Sequence, residues 1–102
     1  MANILPINAM YLSWFRDRGK QDLYPADILI YIMILSRADS DTLTCFPSIQ
    51  TICDDCGGLD RRAVWGSLKR LEQLKYIEVK KSRGRPNVYF MSHFKQWKKE
   101  HG

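Results

Sequence analysis

The apolar run from Ile28 to Leu35, preceded by Asp27 and followed by Ser36-Arg37, constrains this chain more than any other stretch. It is far shorter than the roughly 20 apolar residues that a membrane-spanning helix needs. Its side chains cover almost the whole circumference of a helical wheel, so the element belongs inside a domain and not on its surface. The β-branched content would also suit a buried strand, but Pro25 at the first turn, Asp27 behind it and the polar stop Asp39-Ser40-Asp41 favour a helix running to Ala38. A chain of 102 residues can close one core around such a helix and not a second, so a single domain is expected.

Composition narrows the class further. With 45% apolar and 26% charged residues, the chain has the apolar content to fold and is not a low-complexity sequence. Met1 to Pro6 carries no basic residue, unlike the start of a secretory signal. Cys45, Cys53 and Cys56 are odd in number and lack an export signal, which reads as reduced thiols in a cytoplasmic protein with no membrane partner.

The net charge of +5 hides a strong asymmetry. Residues 1–60 hold 4 basic and 8 acidic side chains, whereas residues 61–85 hold 9 basic against only Glu72 and Glu78. Residues 86–102 add a net +2. So dense a basic block inside a folded domain attracts polyanions, and the counterions it displaces from DNA supply binding energy. The plain alternative is a solvated face that keeps the protein soluble.

Around that block the elements are legible. Phe46-Pro47-Ser48 opens a second helix, with Ile49, Ile52, Cys53 and Cys56 on one face and Gly57-Gly58 as its C-terminal cap and turn. Asp60 caps a third helix reaching to about Leu74. Its core face carries Val64, Leu68, Leu71 and the stem of Lys75, with Ser67 and Leu74 at the margin. Its outward face carries Arg62, Trp65, Gly66, Lys69 and Gln73, the inventory of a groove-reading helix. Beyond Lys75 the period drops to two over residues 76–80 and 88–92, which predicts a β-hairpin with Gly84 and Pro86-Asn87 supplying the turn and a cationic tip. The expected fold is therefore mainly α with a small β-hairpin, an α+β winged helix-turn-helix.

This order of elements, together with Cys45-Phe46-Pro47-Ser48-Ile49-Gln50-Thr51-Ile52, Arg61-Arg62-Ala63-Val64 and Leu68-Lys69-Arg70-Leu71-Glu72-Gln73-Leu74-Lys75-Tyr76-Ile77, resembles the winged-helix domains of plasmid and phage replication-initiation proteins and related small regulators. The Gly57-Gly58-Leu59-Asp60 turn is one residue longer than that family's usual pattern. The resemblance implies that Arg61, Arg62, Trp65, Gly66 and Lys69 face the major groove, and that Ser48, Gln50 and Thr51 meet phosphates at the start of the preceding helix. It implies a wing from Lys80 to Asn87, with Lys80, Lys81, Arg83 and Arg85 along the backbone or in the minor groove. The winged core would span residues 24–92, between an N-terminal flank over 1–22 and a basic tail over 93–102.

Several features admit plainer readings. Cys53-Asp54-Asp55-Cys56 is formally a metal-ligand or redox spacing, but a structural zinc usually takes four ligands and both thiols already serve as small apolar packers, so no metal and no cofactor are expected. Trp65 on a polar face signals contact, with DNA or with a second subunit. Gly66 costs about 1 kcal/mol relative to Ala in a helix interior, which either lets the backbone approach a duplex or is simply tolerated. The segment Asn8 to Phe15, with Met10, Tyr11, Leu12, Trp14 and Phe15, and the residues Phe94 and Trp97 could close a two-fold homodimer or pack on their own core. No nucleophile, base and orienting group recur in a recognisable spacing, and no glycine-rich phosphate loop appears, so neither catalysis nor a small-molecule ligand is expected.

Two functions follow as expectations. The first is sequence-specific binding of double-stranded DNA, serving plasmid or phage replication, partition or transcription regulation. The second is a winged helix used for protein-protein assembly through Trp65 and the aromatic ends.

Overall fold

The computed structural model describes residues 9–19 and 22–101, so Met1 to Pro6 lies outside the described residues. Five helices and three strands follow in the order α1 (Ala9–Gly19), α2 (Pro25–Arg37), β1 (Thr44–Cys45), α3 (Ile49–Asp55), α4 (Arg61–Gln73), β2 (Glu78–Ser82), β3 (Arg85–Phe90) and α5 (Ser92–His101). The strands form one antiparallel sheet in the order β1-β3-β2, which makes the fold an α+β winged helix-turn-helix.

Helix α2 is central, as its apolar run demands: Ile30, Tyr31, Ile34 and Leu35 are fully buried. Pro25 occupies its first turn and the Asp27 carboxylate accepts the Tyr24 backbone N–H at 2.9 Å, satisfying a donor the helix cannot pair internally. At α3, Ser48 is the N-cap and its Oγ accepts the Thr51 N–H at 3.1 Å. The helix closes through two bonds past its end, Gly57 N–H to the Asp54 carbonyl at 3.1 Å and Gly58 N–H to the Cys53 carbonyl at 2.9 Å. That closure requires the left-handed φ of +80° at Gly57, which glycine adopts without steric cost.

Helix α4 closes by the same device with a different residue. Lys75 N–H bonds the Glu72 carbonyl at 3.1 Å and Tyr76 N–H bonds the Leu71 carbonyl at 2.9 Å, with Lys75 itself at φ 67°. This corrects the placement of Lys75 on the core face, because the helix has already ended at Gln73 and Lys75 is exposed. Leu74 is likewise exposed, while Val64, Ser67, Leu68 and Leu71 are buried as expected. Asp60 stands at the N-cap position with extended backbone, but its side chain makes no cap hydrogen bond.

The hairpin is longer and its turn tighter than the sequence suggests. Ser82 pairs with Arg85, leaving Arg83-Gly84 as the two-residue turn with Gly84 at φ +72°, so Pro86-Asn87 is strand and not turn. The ladder shifts register between Lys80 and Ser82, and Pro86, which has no N–H to donate, falls within that irregularity. At the other end β3 stops at Phe90, and Ser92 begins a helix rather than ending a strand. Residues 93–102, expected as a basic tail, are α5 as far as His101.

The aromatic flanks belong to the core. Phe15 stacks on Tyr31 with ring centres 4.3 Å apart and meets Tyr76 edge-on at 5.3 Å. Tyr11 meets Phe94 at 4.7 Å and Trp97 at 5.3 Å, and its hydroxyl bonds those of Tyr31 and, at 2.9 Å, the Nδ1 of His93. Tyr11, Phe15, Phe94 and Trp97 are all buried, so these rings are spent inside this chain, while Trp14 is half-buried and packed against the same core.

Candidate nucleic-acid interface

A buried polar tie sets α4 against α2. Asp27, with no exposed surface, accepts Ser67 Oγ at 2.5 Å and both the Nε and Nη2 of Arg70, at 2.7 and 3.2 Å. The Arg70 guanidinium also lies 4.7 Å above the Tyr24 ring. Burial alone would push the Asp27 carboxyl up, but the hydrogen bonds from Arg70, Ser67 and the Tyr24 N–H outweigh it and hold the group below its ordinary value. Arg70, counted with the basic block in the sequence, is thus committed to the scaffold.

With that face fixed inward, Arg61, Arg62, Trp65, Gly66, Lys69 and Gln73 are all exposed on the other side of α4. Asp60, Arg61, Arg62 and Trp65 border one surface hollow. Trp65, Lys69 and the acidic Glu72 also line a groove of about 220 Å³ shared with Val79, Lys81 and Asn87 of the hairpin and floored by Leu68 and Tyr89. Trp65 is common to both hollows, so Arg61, Arg62, Lys69 and Lys81 lie along one strip that runs from the start of α4 to the hairpin. Trp65 itself is 52% exposed.

The hairpin's alternation sorts the remaining cations. Val79 and Lys81 face the α4 groove, so Lys80, which pairs with Val88, points to the opposite face of the sheet. Lys80 therefore does not share the strip with Lys81. Arg83 is in the turn and Arg85 is exposed beside it, at the tip.

At the start of α3, the three residues expected to meet phosphate already have partners within the protein. Ser48 Oγ and Thr51 Oγ1 are 2.9 Å apart, and Gln50 donates through Nε2 to Asp54 at 3.0 Å while its Oε1 accepts from Arg61. Helix α3 is tied to α2 through a two-pronged Arg37–Asp55 pair, which holds Asp55 below the ordinary carboxylate range. Sequence reasoning missed both this pair and the Asp27 network, because each joins residues far apart in the chain.

The thiols do not form a site. Cys45, Cys53 and Cys56 are free and buried, and burial pushes the Cys45 thiol up to about 12, so it stays protonated. Cys56 is raised as well, by burial and then by Asp55 and Cys53. Among the described residues, no group of three or more His, Cys, Asp or Glu is placed to hold a metal, and no helix is long and apolar enough to cross a membrane.

Comparison with curated proteins and with solved structures gives no match. The helix-turn-helix domain family matches residues 21–77, more than half of the chain. The match takes in α2, β1, α3, the Gly57 turn and the whole of α4, and so the helical part of the exposed strip; the hairpin that carries Lys81 lies beyond it. The chain therefore belongs to the helix-turn-helix domain family, a family of DNA-binding folds.

Proposed function

We propose that this domain binds double-stranded DNA sequence-specifically, with α4 in the major groove and the β2-β3 hairpin as a wing, in the replication, partition or transcription control of plasmid or phage DNA. The observation that carries this reading is the strip Arg61, Arg62, Trp65, Lys69 and Lys81, exposed along one helix and one strand edge and backed by a buried core. Arginine and glutamine on such a helix can make bidentate hydrogen bonds to guanine and adenine edges, and lysine serves phosphates. Arg83 and Arg85 at the hairpin tip suit the backbone or the minor groove. Trp65 suits apolar contact with a thymine methyl or a sugar.

Fluorescence anisotropy on a duplex selected from a random pool, against a scrambled one, tests this. Affinity is expected to fall with a log–log salt slope of about −4 if four or five phosphates are neutralised. Arg62→Ala or Lys69→Ala should weaken the selected duplex by about 1 to 3 kcal/mol, while Arg83→Ala weakens both duplexes alike. Affinity indifferent to salt and to all three changes would sink the assignment. An inverted repeat among the selected duplexes would also reveal two copies per site.

Gly66 provides a sharper check. A Cβ added there meets nothing within 4 Å, so its absence serves no packing inside the domain. Gly66→Ala should therefore raise stability by about 1 kcal/mol while weakening duplex binding, because the added methyl stands where the helix backbone approaches the DNA. Thermal melts and anisotropy on the same sample measure the two effects. Unchanged binding would place this turn of the helix away from the duplex.

A further inference from the structure

Arg61 is not a loose surface cation. Its Nε and Nη2 both donate to Gln50 Oε1, at 3.3 and 3.0 Å, and Gln50 in turn donates through Nε2 to Asp54 Oδ1 at 3.0 Å. The chain of bonds crosses from the first residue of α4 to the second residue of α3 and ends one turn further along α3. Its base is firm, since the neighbouring Asp55 is clamped by Arg37 of α2. The carboxylate fixes which end of the Gln50 amide points toward Arg61, because only the NH₂ end can donate to it.

The consequence for Arg61 is directional. With one edge of the guanidinium on Gln50, its unused donors are those of Nη1 and the second hydrogen of Nη2. One N–H of Nη1 and the remaining N–H of Nη2 lie parallel, in the fork geometry that matches the O6 and N7 acceptors of guanine. An unsupported arginine must lose side-chain freedom when it binds, whereas one already held in place loses less. We infer that Gln50 and Asp54 are positioning residues that aim Arg61 at a guanine, so that base discrimination at one position of the target depends on a carboxylate that itself never touches DNA. This rests on the DNA-binding reading above and adds to it the base that Arg61 selects.

The sign of one substitution separates this role from plain electrostatics. Asp54 is an acidic group beside a basic surface, so if only its charge mattered, Asp54→Ala would tighten binding to every duplex equally. If it positions Arg61, Asp54→Ala should instead reduce the preference for guanine at one position by at least about fivefold, the lower end of what a bidentate contact is worth. Affinity for scrambled duplex would stay the same or rise. Gln50→Ala should give the same loss. Asp54→Asn removes the charge but keeps an oxygen that can accept from Gln50, so it should restore most of the discrimination.

The measurement is a competition series in which each base pair of the selected site is varied in turn, for the wild type and these three variants, with Arg61→Ala as reference. Asp54 and Gln50 are exposed, so their variants are expected to fold, and circular dichroism checks it. Uniform tightening by Asp54→Ala with every base preference intact would overturn the inference while leaving DNA binding standing. So would an Arg61→Ala protein that keeps all base preferences and only lowers the salt slope by about 1, the mark of a phosphate contact. A wild type that binds no duplex overturns the DNA-binding reading and this one together.

Discussion

Asp27→Ala lowers the folding stability by about 2 to 3 kcal/mol, a large share of the about 5 to 15 kcal/mol that holds a typical domain together. The reason is geometric. Asp27 receives bonds from Ser67, from two nitrogens of Arg70 and from the Tyr24 backbone; all lose their acceptor at once, and the Ser67 hydroxyl is buried where water cannot replace it, whereas Arg70 keeps access to solvent. Two of these partners lie on α4, so the loss falls on the contact that sets that helix against α2. Chemical denaturation of the two proteins measures the difference, and a loss under about 1 kcal/mol would show that the network contributes little.

The same network fixes the sign of the pH dependence. The folded-state carboxyl is held below its unfolded value, so its contribution is complete above the unfolded pKa of about 4 and is lost as pH falls through the folded one. The stability gap between wild type and Asp27→Ala should therefore be constant near neutrality and narrow below about pH 4. A gap that widened on acidification would mean that the protonated form is the one the fold prefers.

Why Asp27 escaped the sequence is instructive. Its position two residues after Pro25 reads as a favourable charge at a helix N-terminus, which is correct and incomplete. Ser67 and Arg70 stand one turn apart on α4 and could both reach a single group, but nothing local in the chain names the partner some 40 residues away. The same limit hid β1, whose two residues become a strand only because Tyr89 and Phe90 arrive beside them. By contrast α2, α3 and α4 were legible because their signals are local: Pro25, Ser48 and the Gly57 turn mark ends, and apolar spacing marks the buried face.

Two further departures come from extending a local rule too far. A helical wheel places Lys75 with Val64 and Leu71 only if the helix continues, and the left-handed turn at Lys75 ends it first. Pro86-Asn87 is strong turn chemistry, yet Gly84 one step earlier closes a two-residue hairpin and leaves Pro86 within the register shift. Helix α5 had a readable signal that went unused, since Ser92 precedes Phe94 and Trp97 at helical spacing. The exposed face of α4 needed no tertiary information at all, and for that reason Arg62, Trp65, Gly66, Lys69 and Gln73 emerged together from periodicity. The side of the sheet that Lys80 takes was not legible in this way, because which side of a strand faces a helix depends on register.

Phe15→Ala tests how far the folded unit extends beyond the helix-turn-helix match, and the expected loss is about 3 to 5 kcal/mol. The residue lies outside the matched stretch, on a helix that could have been a detachable arm. Its ring is fully buried all the same, stacked on Tyr31 of α2, edge-on to Tyr76 at the foot of α4 and within 6.2 Å of Tyr11 and of His93 on α5. Removing it opens a cavity where α1, α2, α5 and the turn after α4 meet, and packed backbone around it limits collapse into the space. An arm that merely rested on the surface, or that ordered only on pairing with a second copy, would lose well under about 1 kcal/mol in the isolated domain. Denaturation followed by near-UV and far-UV circular dichroism distinguishes the cases: one coincident transition at a lower midpoint marks α1 and α5 as part of the cooperative fold. An early transition seen only in the aromatic signal would make them a separate layer, and α4 would then owe its stability mainly to α2 and α3.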